Sequence, residues 1–241
     1  MAKRAARRAK LHAIDSARIH NLVFDQTPAN DRDQSYIRKV RPRSDNQRIL
    51  MEAIDAKPLT VALGPAGTGK TYLAICAAVE ALEEGAVSRI VLSRPAVEAG
   101  ENLGFLPGDM REKLDPYLRP LWDALNDRLG AKRLRQNLDD GTIEIAPVAF
   151  MRGRTLNNSF VLIDEAQNCT YGQLKMLLTR LGWHSTMILT GDPDQSDLLN
   201  GLSGLADVAN RLEAVPDIAV VRLNDRDIVR HPLVAGMLTV L

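Results

Sequence analysis

At 241 residues, 45% apolar and 25% charged, the chain has an ordinary globular composition and is long enough for one large domain that buries its own core. A net charge of +1 gives no overall polyanion signal, and two cysteines and four histidines without ligand spacing point away from a disulfide scaffold or metal centre and towards a reducing, cytoplasmic setting. The N-terminus lacks the apolar core of a secretory signal, and no apolar run nears the roughly 20 residues that cross a bilayer, so no membrane is expected as a partner.

Residues 1–43 read as a basic N-terminal arm or extension. MAKRAARRAK carries Lys3, Arg4, Arg7, Arg8 and Lys10 and no acid, which suits a solvated tail and also weak attraction to a phosphate backbone. Residues 44–241 read as one domain. Ser44 can cap a helix whose Ile49, Leu50, Ala53 and Ile54 share a face. Strand and helix segments then alternate, with LTVAL at 59–63, a helix over 69–84 and RIVLS at 89–93. A helical stretch at 109–129 contains Pro116 and Pro120 and is expected to break into two pieces. TIEIA at 142–146, FVLID at 160–164, TMILT at 186–190 and IAVVRL at 218–223 complete the strands. These are continuous apolar runs, as in strands buried on both faces. The expected class is α/β, with a mostly parallel sheet flanked by helices on both faces.

GPAGTGKT at 64–71 fits G-x-x-x-x-G-K-[ST] at every fixed position, between an apolar strand and a helix. Gly64, Gly67 and Gly69 let the backbone turn its N–H groups around phosphate oxygens, with Pro65, Ala66 and Thr68 completing the loop and Tyr72 following it. Lys70 is expected on the β- and γ-phosphates of ATP, and Thr71 on Mg2+. The helix that starts there points its positive end at the anion. A structural glycine-rich turn would not need this placement.

FVLIDEAQ supplies the second element. Asp164, at a strand end, is expected to hold the magnesium through its water shell. Glu165 is placed to polarise a water for attack on the γ-phosphate, which favours hydrolysis over transfer to an acceptor. Gln195, in GDPDQSD, could bond both that water and the γ-phosphate, or be a surface-loop residue. Gln47, upstream of the loop, could read the adenine edge through its donor and acceptor, or be structural.

The run SRPAVEAGENLGFLPGDMREKLDPYLRPLWDAL (93–125), with MRGRT (151–155), VLIDEAQN (161–168), LTRLG (178–182), GDPDQSDL (191–198), SGL (203–205) and DIVRH (227–231), resembles the PhoH family of ATPases over roughly residues 40–240. The resemblance implies a RecA-like P-loop NTPase core related to the N-terminal half of superfamily 1 helicases. It also implies a homo-oligomeric ring, a hexamer, and ATP hydrolysis with an RNA-linked role. Some relatives are named for phosphate starvation and some carry a ribonuclease domain, for which no room is expected here. With no second RecA-like domain, the arginine that closes the site is expected from elsewhere. Arg226, Arg152, Arg154 and Arg180 are candidates, and Arg230 leads because it matches the family's DIVRH motif.

Arg152 and Arg154 could instead grip a nucleic-acid backbone, or be structural. The chain is only 4% aromatic, so base stacking is poorly supported. The loop 94–108 could meet nucleic acid or a neighbouring subunit, although Glu98 and Glu101 oppose a simple phosphate grip. The leading reading is an oligomeric ATPase coupled to RNA or single-stranded nucleic acid. The alternative is an ATP-dependent assembly switch that recruits a partner such as a nuclease. A small-molecule kinase fits poorly, because no acceptor-binding constellation is present.

Overall fold

The computed structural model describes residues 40–95, 110–199 and 201–229. The arm expected over 1–43 lies almost wholly outside them, as do Arg230, Glu98 and Glu101. Helix α1 (Asp45–Ala56) begins where Ser44 Oγ accepts the Gln47 N–H at 3.2 Å, so the expected cap is formed. Its buried face is Gln47, Leu50 and Ile54, while Ile49 turns outward. Strand β1 (Leu59–Leu63) leads through the glycine-rich loop into α2 (Lys70–Glu83) and β2 (Arg89–Ser93).

Helix α3 (Met110–Leu129) is one continuous element, which corrects the expectation of two pieces. Pro120, which has no N–H to give to the helix, is exposed. Leu121, Trp122, Leu125 and Leu129 are buried on the other side and hold the helix down. Then follow α4 (Ala131–Asp139), β3 (Ile143–Ile145), β4 (Ser159–Ile163), α5 (Tyr171–Leu178), β5 (Thr186–Gly191), α6 (Leu205–Leu212) and β6 (Ile218–Arg222).

The strands form one sheet in the order β3-β2-β4-β5-β1-β6, and every pairing is parallel. Parallel neighbours need crossovers, and the helices supply them on both faces. Alternation along the strands divides the core. Ala62, Ile90, Leu92, Phe160, Leu162 and Ile188 face α1 to α4, and Val61, Leu63, Val161, Ile163, Met187 and Leu189 face α5 and α6. Both sets are apolar because both faces are covered. β5 lies between β1 and β4, so the loops after these three strands meet beyond their carboxyl ends, where α/β sheets bind ligands.

Candidate nucleotide site

The loop after β1 is shaped by its glycines. Gly64 has φ 141°, and a Cβ there would stand 2.5 Å from the Leu223 carbonyl oxygen. Gly67 and Gly69 have φ of 84° and 87°, in the left-handed region where a side chain is strained. The loop is fastened from below. Gln47 Nε2 donates to the Thr68 carbonyl at 2.9 Å, and the Val229 N–H donates to that of Gly67 at 2.9 Å. Asp227 accepts from Asn46 Nδ2 and from the Asn224 N–H, which fixes residues 224–229 against α1.

Lys70 starts α2 and is buried, with its ammonium on the carbonyl oxygens of Gly64 and Pro65 at 2.5 and 2.8 Å. Burial holds its pKa below the usual lysine value, against the pull of Asp192, Glu165 and Asp164. A cation satisfied by neutral carbonyls, beside a loop turned by three glycines, suits a polyphosphate. Thr71 Oγ1 donates to Asp164 Oδ1 at 2.6 Å, and Thr190 Oγ1 donates to the same oxygen at 2.7 Å. One hydroxyl converging with one carboxylate is the donor set expected of magnesium, which keeps waters and phosphate oxygens in its other positions. Among the described residues no cluster of three or more His, Cys, Asp or Glu could hold a metal without that help.

Glu165 directly follows Asp164, with φ 52° and ψ 44°. A non-glycine residue there costs roughly 1–3 kcal/mol and persists only when its surroundings fix it. Gln167 does part of that fixing, donating from Nε2 to Glu165 Oε2 at 2.5 Å and accepting the Asp192 N–H on Oε1 at 3.1 Å. Arg94 donates to Asp164 Oδ2 and to Glu165 Oε1. A cleft of about 540 Å³ runs between the glycine-rich loop and α3, and Lys70, Thr71, Asp164, Glu165, Asp192 and Gln195 all border it. The cleft thus gathers the glycine-rich loop, the Thr71–Asp164 pair and the Glu165 carboxylate.

The profile of the PhoH family, described as PhoH-like protein, matches residues 39–241. The chain belongs to the PhoH family. It is 53% identical over 202 residues to the PhoH-like protein of Bacillus subtilis (strain 168), covering 83% of this chain and 63% of that one. To Protein PhoH of Escherichia coli (strain K12) it is 45% identical over 205 residues, covering 84% of this chain and 58% of that one. The chain thus spans about three fifths of the length of these curated relatives. Among solved structures it is similar to the large terminase of a thermophilic bacteriophage, with a TM-score of 0.52, 10% identity and coverage of 83% of this chain and 50% of that one. At that identity the likeness is one of fold, a P-loop, RecA-like core.

Within this PhoH family member some expected residues lie elsewhere than the cleft. Gln47 is 4% exposed, its Oε1 accepts the Arg43 N–H at 2.8 Å, and it braces the loop from beneath rather than bordering the cleft. Tyr72 borders the cleft, and its hydroxyl donates to Asp127 on α3 at 2.7 Å. Arg154 forms a fork with Glu144 at 2.8 and 2.6 Å. Arg180 bonds the carbonyls of Met176 and Arg154. Neither arginine borders the cleft, whereas Arg152 and Arg226 are exposed. Sequence reasoning missed Arg94, Thr190 and Gln167. Gln167 could have been found from its place two residues beyond Glu165. Arg94 needs the strand order, which sets the end of β2 beside that of β4.

Proposed function

We propose that this PhoH-type domain binds magnesium-ATP in the cleft and hydrolyses it to ADP and phosphate, as part of an oligomeric ring coupled to RNA or single-stranded nucleic acid. The observation that carries the hydrolase reading is Glu165, a carboxylate held in a strained conformation beside the Thr71–Asp164 pair. Lys70 would exchange its carbonyl partners for β- and γ-phosphate oxygens. Thr71 and Asp164 would hold the magnesium, which supplies positive charge to the phosphates when bound. Glu165 accepts a proton from the attacking water, and Gln195, at the cleft rim, orients that water. Such placement and charge stabilisation account for most of the rate in P-loop enzymes.

The second reading, an ATP-dependent assembly switch without action on nucleic acid, is favoured by Arg154 and Arg180. Both are engaged within the domain, which leaves fewer cations for a phosphate backbone. Phosphate release measured with and without single-stranded RNA, at two salt concentrations, separates the readings. Stimulation by RNA that salt removes supports the coupled ATPase. Turnover indifferent to RNA and DNA supports the switch.

A further inference from the structure

Arg94 immediately follows the last residue of β2, at the carboxyl edge of the sheet. Its side chain is 19% exposed, and the guanidinium bridges two acids, standing 3.2 Å from Asp164 Oδ2 and 3.3 Å from Glu165 Oε1. Among the described residues it is the arginine that borders the cleft, together with Lys70, Thr71 and Gln195. Asp164 belongs to the metal position and Glu165 to the water position, so the guanidinium lies between them. Both contacts are long for charge-assisted bonds, which usually measure about 2.7–2.9 Å. They are contacts that a better partner can displace.

Each carboxylate has a second set of partners that does not depend on Arg94. Asp164 Oδ1 is held by Thr71 and Thr190, and Glu165 Oε2 by Gln167. Removing the guanidinium therefore leaves both acids oriented, with Asp164 Oδ2 and Glu165 Oε1 open. Those are the oxygens that a metal-bound water and an attacking water require. A divalent cation arriving beside Asp164 would also repel a guanidinium on the same carboxylate. Asp123, Asp127 and Asp192 also border the cleft, but each is a single charge, whereas the terminal phosphate of a bound nucleotide concentrates more negative charge on three oxygens.

We infer that Arg94 is a γ-phosphate-binding residue supplied in cis, whose guanidinium exchanges Asp164 and Glu165 for γ-phosphate oxygens when a nucleoside triphosphate binds. The inference rests on the reading of the cleft as an ATP site. One guanidinium then performs two tasks. Without a γ-phosphate it occupies the two acids, and with one it supplies charge to the transferring group and opens Glu165 to water. With a diphosphate there is nothing to draw it away, so Arg94 makes the site prefer triphosphate.

The test is calorimetric binding of a non-hydrolysable ATP analogue and of ADP, each with magnesium, to the wild type, Arg94→Gln and Arg94→Lys. Arg94→Gln is expected to weaken the triphosphate analogue about tenfold or more, the low end for a charge-assisted hydrogen bond. ADP binding stays within about threefold or tightens, because two carboxylates are released from a competing cation. Arg94→Lys restores the charge without the fork and recovers part of the preference. Equal weakening of both ligands, or tightening of both, would make Arg94 a brace or a blocking group and overturn the inference. Thermal unfolding without nucleotide checks the fold, and if Arg94→Gln does not fold, the triphosphate-to-diphosphate ratio of Arg94→Lys decides, with an unchanged ratio counting against the inference. Because binding is the readout, a wild type that binds the analogue but does not turn over ATP removes the hydrolase reading and leaves the Arg94 ratio to stand or fall alone. A wild type that binds neither nucleotide overturns both.

Discussion

Gln167 is 3% exposed and serves two groups at once, the carboxylate of Glu165 and the N–H of Asp192. Gln167→Leu keeps the bulk, frees Glu165 and leaves the buried Asp192 N–H without its acceptor. Stability should fall by about 1–3 kcal/mol in urea unfolding, and kcat should fall with little change in KM. A KM effect as large as the kcat effect would mean that Gln167 acts on binding instead. The two cysteines give a separate check on burial. Burial pushes the Cys169 thiol up to about 12 and the Cys76 thiol up to about 11, from an ordinary 9.0. Both stay protonated in the native protein at neutral pH and regain the ordinary value on unfolding. This stabilising contribution is therefore complete below pH 9 and is lost as pH rises through about 11 and 12. The melting temperature should drop more steeply above pH 9 in the wild type than in a Cys76→Ala, Cys169→Ala variant, and iodoacetamide should label neither thiol before unfolding. Rapid labelling of the native chain would show that the two faces of the sheet are less closed than described.

At the level of elements, the cleft depends on how closely β5 meets its neighbours. A Cβ on Gly191, the last residue of β5, would stand 2.5 Å from Leu205 Cδ2 and 2.7 Å from Gln167 Oε1. Gly191→Ala should therefore push the Leu205 side chain aside and, through Gln167, shift Glu165. Activity should fall at least about tenfold, by the same reasoning that makes a 1 Å misplacement cost a hundredfold, while circular dichroism shows the fold retained. Unchanged activity would separate the β5 terminus from the catalytic carboxylate. The strands and the glycine-rich loop were legible in the sequence because each signal is local, an apolar run or a fixed spacing. The division of α3 was misread because Pro120 is a helix breaker locally, and only tertiary packing of Leu121, Leu125 and Leu129 shows why the helix continues. Arg94 was illegible for the opposite reason. Nothing in SRPA marks a site residue until β2 is known to lie beside β4.

For the molecule as a whole, one side of the cleft is built from the segments that follow β1, β4 and β5, which bring Lys70 and Thr71, Asp164 and Glu165, and Asp192 and Gln195 together, and α3 forms the facing wall with Pro120, Asp123, Ala124 and Asp127. Asp123 and Asp127 make that wall acidic, so under the roles proposed above the positive charge at a γ-phosphate would come from Lys70 and Arg94, and in the proposed ring any further arginine from another copy. Arg230 lies outside the described residues, and Val229 before it donates its N–H to the Gly67 carbonyl of the glycine-rich loop. If this cleft hydrolyses ATP with Glu165 as the base, steady-state phosphate release by the wild type, Lys70→Ala and Glu165→Gln, with nucleotide binding measured on the same preparations, should show it. Turnover is expected in the wild type, loss of both binding and turnover in Lys70→Ala, and in Glu165→Gln retained binding with kcat lowered about a hundredfold or more. Wild-type turnover that Glu165→Gln leaves unchanged, or a nucleotide-bound wild type that releases no phosphate, would contradict it.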